Sequence, residues 1–175
     1  MLVLRPADGN ETTVAWKMAM ENVDTPTALI LSRQGIKDVT TYKSAQGATK
    51  GAYTLQDCEG TPDVILLASG SEVSTLVAGA ELLAKDGIKS RIVSVPSEGL
   101  FRAQDTAYQA EILPAGVTKF GLTAGLPVTL EGLVGADGKV FGLASFGYSA
   151  PAGVLDVKLG YTGENVYNQV KELLA

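Results

Sequence analysis

Arg33 is the side chain whose type and position could most directly do chemistry. It stands in "TALILSRQ" (27–34), where an apolar run passes into serine, arginine and glutamine with no turn residue between. Runs of this kind ordinarily end at Gly, Pro, Asn or Asp. A guanidinium offers a planar fork of donors that matches phosphate or carboxylate. The carboxyl end of a strand is where open α/β sheets gather ligand-binding groups. Two readings stand: Arg33 meets an anion at the strand's end, or the strand surfaces there and the side chain points to water. A second candidate is Ser69, Gly70 and Ser71 in "ASGSEV" (68–73). A helix that starts after a glycine turn presents free N–H groups to an anion. The same stretch has capping-box spacing from Ser69 to Glu72, with Ser71 as an alternative cap. No Lys or Arg adjoins it in sequence, and the GK[ST] of a phosphate-binding Walker loop is missing, so capping is the reading the residues favour.

The chain of 175 residues contains no histidine, which removes the usual proton carrier near neutral pH and the commonest metal ligand. A Ser-His-Asp or Cys-His site is excluded, and so is an ordinary zinc site. The single cysteine, Cys58 in "LQDCEG", has no base partner and excludes an internal disulfide. Glu11, Glu21, Asp57, Glu59 and Glu72 fall near element ends, where solvated acids are ordinary. Net charge is −5, and the basic residues form no stripe, so a nucleic-acid partner is not expected. No apolar run is long enough to span a bilayer, and "MLVLRPADGNE" lacks the basic start and cleavage site of a signal peptide. Together these features predict a soluble cytoplasmic protein with no membrane partner.

The elements that must position these residues follow from hydrophobic period. "LVL" (2–4) is a short apolar run. "ADGNE" turns into a helix running to about residue 22, with Asn10 as the expected cap and Glu11 set against the helix dipole. Residues 27–31 then predict a strand. Residues 35–50 are polar, rich in Thr, Ser and Gly, and without period, so they are expected to be a linker. From Gly51 strands and helices alternate. "DVILLA" (63–68) is a continuous apolar run, as expected of a strand buried on both faces. A helix over 72–85 follows, stopped by Gly87. "RIVSV" (91–95), "VTKFGLT" (117–123) and "KVFGLASF" (139–146) are further strands. "LFRAQDTAYQAEIL" and 128–134 are predicted helices, "SAPAGVLDVKL" starts as one, and 164–174 is another. Asp137-Gly138 sits between apolar runs where a tight turn is needed. The alternation predicts a three-layer α/β domain over 51–175, with a mostly parallel sheet and helices on both faces. It is preceded by a partial α/β segment over 1–34, which cannot bury both its faces alone. Residues 1–50 must therefore be mobile, borrow a partner chain, or lean on the C-terminal domain.

Seven separated motifs occur in an order similar to that found in transketolases: "RPADGNETTVAWKMAMEN", "TPTALILSRQ", "PDVILLASGSEV", "GIKSRIVSVPS", "LFRAQDTAYQAEILP", "SFGYSAPAGVL" and "GYTGENV". The chain resembles the last third of such an enzyme. The resemblance implies that 1–34 is the terminal part of a pyrimidine-binding domain, 35–50 a linker and 51–175 a transketolase-type C-terminal domain. It also implies a dimeric thiamine-diphosphate and Mg2+ enzyme that moves a two-carbon ketol unit between sugar phosphates. The cofactor-activating glutamate and the substrate-site histidines of that family precede this segment. The chain alone is therefore expected to bind neither cofactor, to be inactive, and to need the remaining transketolase domains or subunit as its partner. The family's phosphate-contacting arginine falls on Arg33, and no catalytic residue carries over. Family members hold magnesium through Gly-Asp-Gly and a later Asn. Ala136 replaces the first glycine here, so the spacing of Asp137 and Gly138 to Asn165 reads as coincidence. Thr123 stands where relatives commonly have an acid before Ala-Gly, and "LPVTLEGLVG" lacks the aromatics common there. A stand-alone binding, regulatory or structural module of the same fold is the alternative.

Overall fold

The computed structural model describes all residues, 1–175. In chain order its elements are β1 (Leu2–Leu4), α1 (Gly9–Glu21), β2 (Thr27–Leu29), α2 (Tyr42–Ala45), β3 (Tyr53–Gln56), β4 (Val64–Ala68), α3 (Glu72–Lys85), β5 (Ser90–Ser94), α4 (Glu98–Arg102), α5 (Thr106–Ile112), β6 (Thr118–Leu122), α6 (Val128–Val134), β7 (Lys139–Phe141), α7 (Ala152–Leu159) and α8 (Gly163–Leu174). The main sheet has the order β3-β5-β4-β6-β7, parallel throughout except for β3, which runs antiparallel to β5 at one edge. β1 and β2 form a separate parallel pair.

The three layers follow from the sequence period. β4 is fully buried because it is sandwiched: Val64, Leu66 and Ala68 pack under α3 and α8, while Ile65 and Leu67 face α4, α5 and α6. Each such Val, Leu or Ile contributes roughly 1.5–3 kcal/mol on burial. α3 turns Val73, Leu76, Ala80 and Leu83 to the sheet, and Gly87, at φ +77°, ends it. α8 starts at Thr162, whose hydroxyl accepts the Asn165 N–H, and buries Val166 and Val170. α3 and α8 approach so closely that a Cβ on Gly79 would lie 2.5 Å from Val166 Cγ1. No helix is long and apolar enough to cross a membrane.

Several boundaries differ from the sequence-based expectation. The cap of α1 is Asp8, not Asn10: Asp8 has extended backbone and its carboxylate accepts the Glu11 N–H. The strand expected over 27–31 ends at Leu29. Its ladder partner is lost there, because Arg5 pairs its backbone N–H with Pro96 O and its carbonyl with Gly70 N instead. The predicted helix through "LFRAQDTAYQAEIL" breaks into α4 and α5, since Asp105 caps a new start by accepting from Tyr108 N. β7 stops at Phe141, well short of residue 146. The stretch 35–50 is not bare linker. It contains α2 and a 3-10 turn over 46–50, with Ala45 and Ala48 buried against Val14 of α1 and Tyr53 of β3. Residues 1–50 lean on the C-terminal domain, with Arg5 bonded to Ser69 and Glu72 and Glu11 bonded to Tyr53 and Ser94.

Candidate functional site

The loop that carries Arg33 is held at both ends. At its start, Ile30 N donates to Leu4 O at 2.8 Å, continuing the β1–β2 register by one bond. At its end, Val39 N and Thr40 N donate to Asp8 Oδ2 at 2.9 and 2.7 Å, and the Thr40 hydroxyl donates to Asp8 Oδ1 at 2.9 Å. Gly9 N donates to Asp38 Oδ1, and Asn10 Nδ2 to Thr40 O. Between these anchors residues 31–35 are exposed, and Arg33 sits on this loop rather than on the strand itself. Its guanidinium takes part in none of the chain's six ion pairs. It lines a cleft of about 690 Å³ together with Lys37, Arg5, Glu72, Asp156 and Tyr161. The cleft lies against the carboxyl end of β4 and the start of α3, where an open α/β sheet binds ligands.

Of the three residues Ser69, Gly70 and Ser71, only Ser71 borders this cleft, and Ser69 lines a separate cavity. No Lys or Arg adjoins them in sequence, yet Arg5 reaches them through the fold. Its Nη1 donates to Ser69 O at 2.7 Å and to Ser69 Oγ at 3.2 Å, and its Nη2 pairs with Glu72 Oε2 at 2.5 Å. Glu72, expected to be a solvated acid, is buried and matched by this guanidinium; its Oε1 accepts from the Ser71 hydroxyl. Neither serine caps α3 through its side chain. Gly70 is required twice over: its φ is +68°, and a Cβ there would lie 2.8 Å from Arg5 Cζ.

A second acid that reads as solvated in the sequence is buried instead. Glu11 is wholly buried rather than solvated at a helix end. Its Oε2 accepts from Ala7 N at 2.8 Å, and its Oε1 accepts from the Tyr53 hydroxyl at 2.7 Å and the Ser94 hydroxyl at 2.6 Å. Burial pushes its carboxyl above the usual range, against the pull of these three donors and with a small push from Asp8. Burial likewise raises the Tyr53 phenol, helped by the Glu11 carboxylate. One signal could have found this group: Asp8 and Glu11 have the three-residue spacing of a cap and its returning carboxylate. Here Glu11 reaches past that role to the C-terminal domain. A second cavity, of about 830 Å³, opens where β1 faces the ends of β5 and β6, and Ser97 and Thr123 line it.

No three His, Cys, Asp or Glu side chains converge to hold a metal ion. Asn165 is committed to its own loop, donating from Nδ2 to Gly160 O at 2.8 Å, and Asp137 is exposed in the turn before β7. The residues present therefore do not fit a magnesium diphosphate site.

Residues 51–162 match the model of a family described as the transketolase-like TK C-terminal domain. Transketolase 1 of Vibrio cholerae is 46% identical over the whole chain, and the match spans 27% of that protein. Among solved structures, a transketolase from Leishmania mexicana superposes with a TM-score of 0.90 at 38% identity, covering 98% of this chain and 25% of its own. A Pichia stipitis transketolase variant in complex with xylulose 5-phosphate gives 0.91 at 34% identity, covering 99% of this chain and 25% of its own. The chain thus spans about a quarter of the length of the relatives it matches, and by its C-terminal domain it belongs to the transketolase family.

Proposed function

We propose that the chain is the C-terminal portion of a transketolase-type transferase, in which it presents Arg33 to the phosphate of a sugar phosphate while a two-carbon ketol unit moves from ketose to aldose. The observation that carries this is an exposed arginine outside every ion pair, held on a doubly anchored loop over a cleft at the carboxyl end of β4. Lys37 on the same loop adds positive charge. Residues 1–34 are the terminal part of a pyrimidine-binding domain, 35–50 connect it, and 51–175 form the C-terminal domain. Thiamine diphosphate and Mg2+ belong to the preceding domains, which a dimeric assembly supplies. Trp16, Met20, Val23 and Ile30, all exposed on α1, β2 and their flanks, support such a partner, because so many apolar groups on one small segment are costly to leave in water.

The test compares xylulose 5-phosphate with free xylulose in the assembled enzyme. Arg33→Ala removes a charge-assisted contact worth roughly 1.5–3 kcal/mol. That is about a tenfold to hundredfold loss of kcat/KM for the phosphorylated ketose. Free xylulose, having no dianion to lose, should be turned over nearly as before. Equal losses for both substrates would return Arg33 to a structural role.

A further inference from the structure

We propose that Asp8 is the positioning residue of the Arg33 loop. The inference rests on the reading of Arg33 as a phosphate-binding side chain. A loop of about ten residues is a poor support for a charged side chain unless both ends are fixed, since the chain between anchors keeps its conformational freedom. The start of this loop is fixed by a single backbone bond, Ile30 N to Leu4 O. The end is fixed mainly by one carboxylate: Asp8 takes the two backbone N–H groups and the hydroxyl of residues 39 and 40, beside the bonds from Gly9 N to Asp38 and from Asn10 to Thr40 O. Asp8 is 4% exposed and accepts four hydrogen bonds: Glu11 N, Val39 N, Thr40 N and the Thr40 hydroxyl. The bond to Glu11 N makes Asp8 the cap of α1. The other three clamp residues 39 and 40 to that cap, so the direction of the loop is referred to the axis of α1.

α1 in turn is fixed to the C-terminal domain through Glu11, whose carboxylate takes the hydroxyls of Tyr53 and Ser94. Position therefore passes from the main sheet through Glu11 and the first turn of α1 to Asp8, and from Asp8 to the loop that carries Arg33. A carboxylate suits the task because both oxygens accept, and an ionised acceptor binds N–H groups more strongly than a neutral one. Asparagine has almost the same shape but turns one acceptor into a donor. Whichever way it sits, it sets an NH2 against the N–H groups of residues 39 and 40 or against that of Glu11.

The experiment uses the assembled enzyme, the substrate pair xylulose 5-phosphate and xylulose, and the variants Asp8→Asn and Arg33→Ala measured side by side. Asp8→Asn is expected to raise KM for the phosphorylated ketose and to lower the ratio of kcat/KM between phosphorylated and free ketose about tenfold. Amide exchange at residues 31–40 should rise, while that at 64–68 stays unchanged. If Arg33→Ala lowers that ratio and Asp8→Asn lowers both substrates equally, or neither, Asp8 is a structural cap only and the proposal is overturned. If Arg33→Ala itself leaves the ratio unchanged, the phosphate reading of Arg33 fails and the role of Asp8 falls with it. Should Asp8→Asn not fold, Thr40→Val decides the matter: it removes one bond to Asp8 and should lower the ratio in the same direction by a smaller factor, and an unchanged ratio overturns the proposal.

Discussion

Replacing Glu11 by alanine should detach the N-terminal segment from the C-terminal domain before the latter unfolds. The truncation orphans three donors in a wholly buried place: Ala7 N, the Tyr53 hydroxyl and the Ser94 hydroxyl. Each orphaned group costs about 1–3 kcal/mol. The two hydroxyls can rotate toward other acceptors, so the sum is nearer 3–5 kcal/mol once the cavity is included. That is a large share of the roughly 5–15 kcal/mol that holds a domain folded. Trp16, the only tryptophan, lies on α1 and so reports on that segment alone. In a urea titration its fluorescence transition should move ahead of the far-UV circular dichroism transition in Glu11→Ala. Tyr53→Phe removes one of the three bonds and should cost about 1 kcal/mol. Glu11→Gln should behave differently. Its oxygen can take Ala7 N and its NH2 can donate to the two hydroxyls, which reverse. The sign with pH then follows from the raised carboxyl. A folded value above the ordinary 4.5 means that Glu11 favours the folded state in its protonated form. That contribution is complete below about pH 4.5 and is lost as pH rises through the folded value. The stability of the native chain relative to Glu11→Gln should therefore fall with rising pH across that window. A Glu11→Ala loss no larger than about 0.5 kcal/mol, typical of a surface site, would refute the reasoning. So would a native chain that gains stability over Glu11→Gln as pH rises.

Two further outcomes follow from the packing and from the proposed division of labour. Gly79→Ala gains about 1 kcal/mol in helix propensity but drives a methyl into Val166, so overpacking of about 1–3 kcal/mol should prevail; a lower urea midpoint checks it. If the cofactor sits on the preceding domains, calorimetry of this chain with thiamine diphosphate and Mg2+ should be silent, and saturable micromolar binding, worth roughly 8 kcal/mol, would overturn that assignment.

The serine cap expected for α3 did not form, whereas sequence period and turn residues alone determined the alternation of strand and helix, the doubly buried β4 and the glycine stop of α3. These are local properties: a run of apolar residues declares its burial wherever it lies, and Gly87 ends a helix by its own φ. The exposure of Arg33 was one of two readings open at that level. What it stands on was not legible. Asp8 finds Thr40 across 32 positions, Arg5 finds Ser69 across 64, and Glu11 finds Ser94 across 83. None of these residues differs in type from a solvated surface charge, which is how Glu11 and Glu72 read in the sequence. A charged side chain carries no periodic mark that says whether water or a distant hydroxyl will satisfy it. Only the closing of the sheet, which strips water from both carboxylates and brings Tyr53, Ser94 and Arg5 within bonding distance, decides that they become the fastening between the N-terminal segment and the domain beneath it.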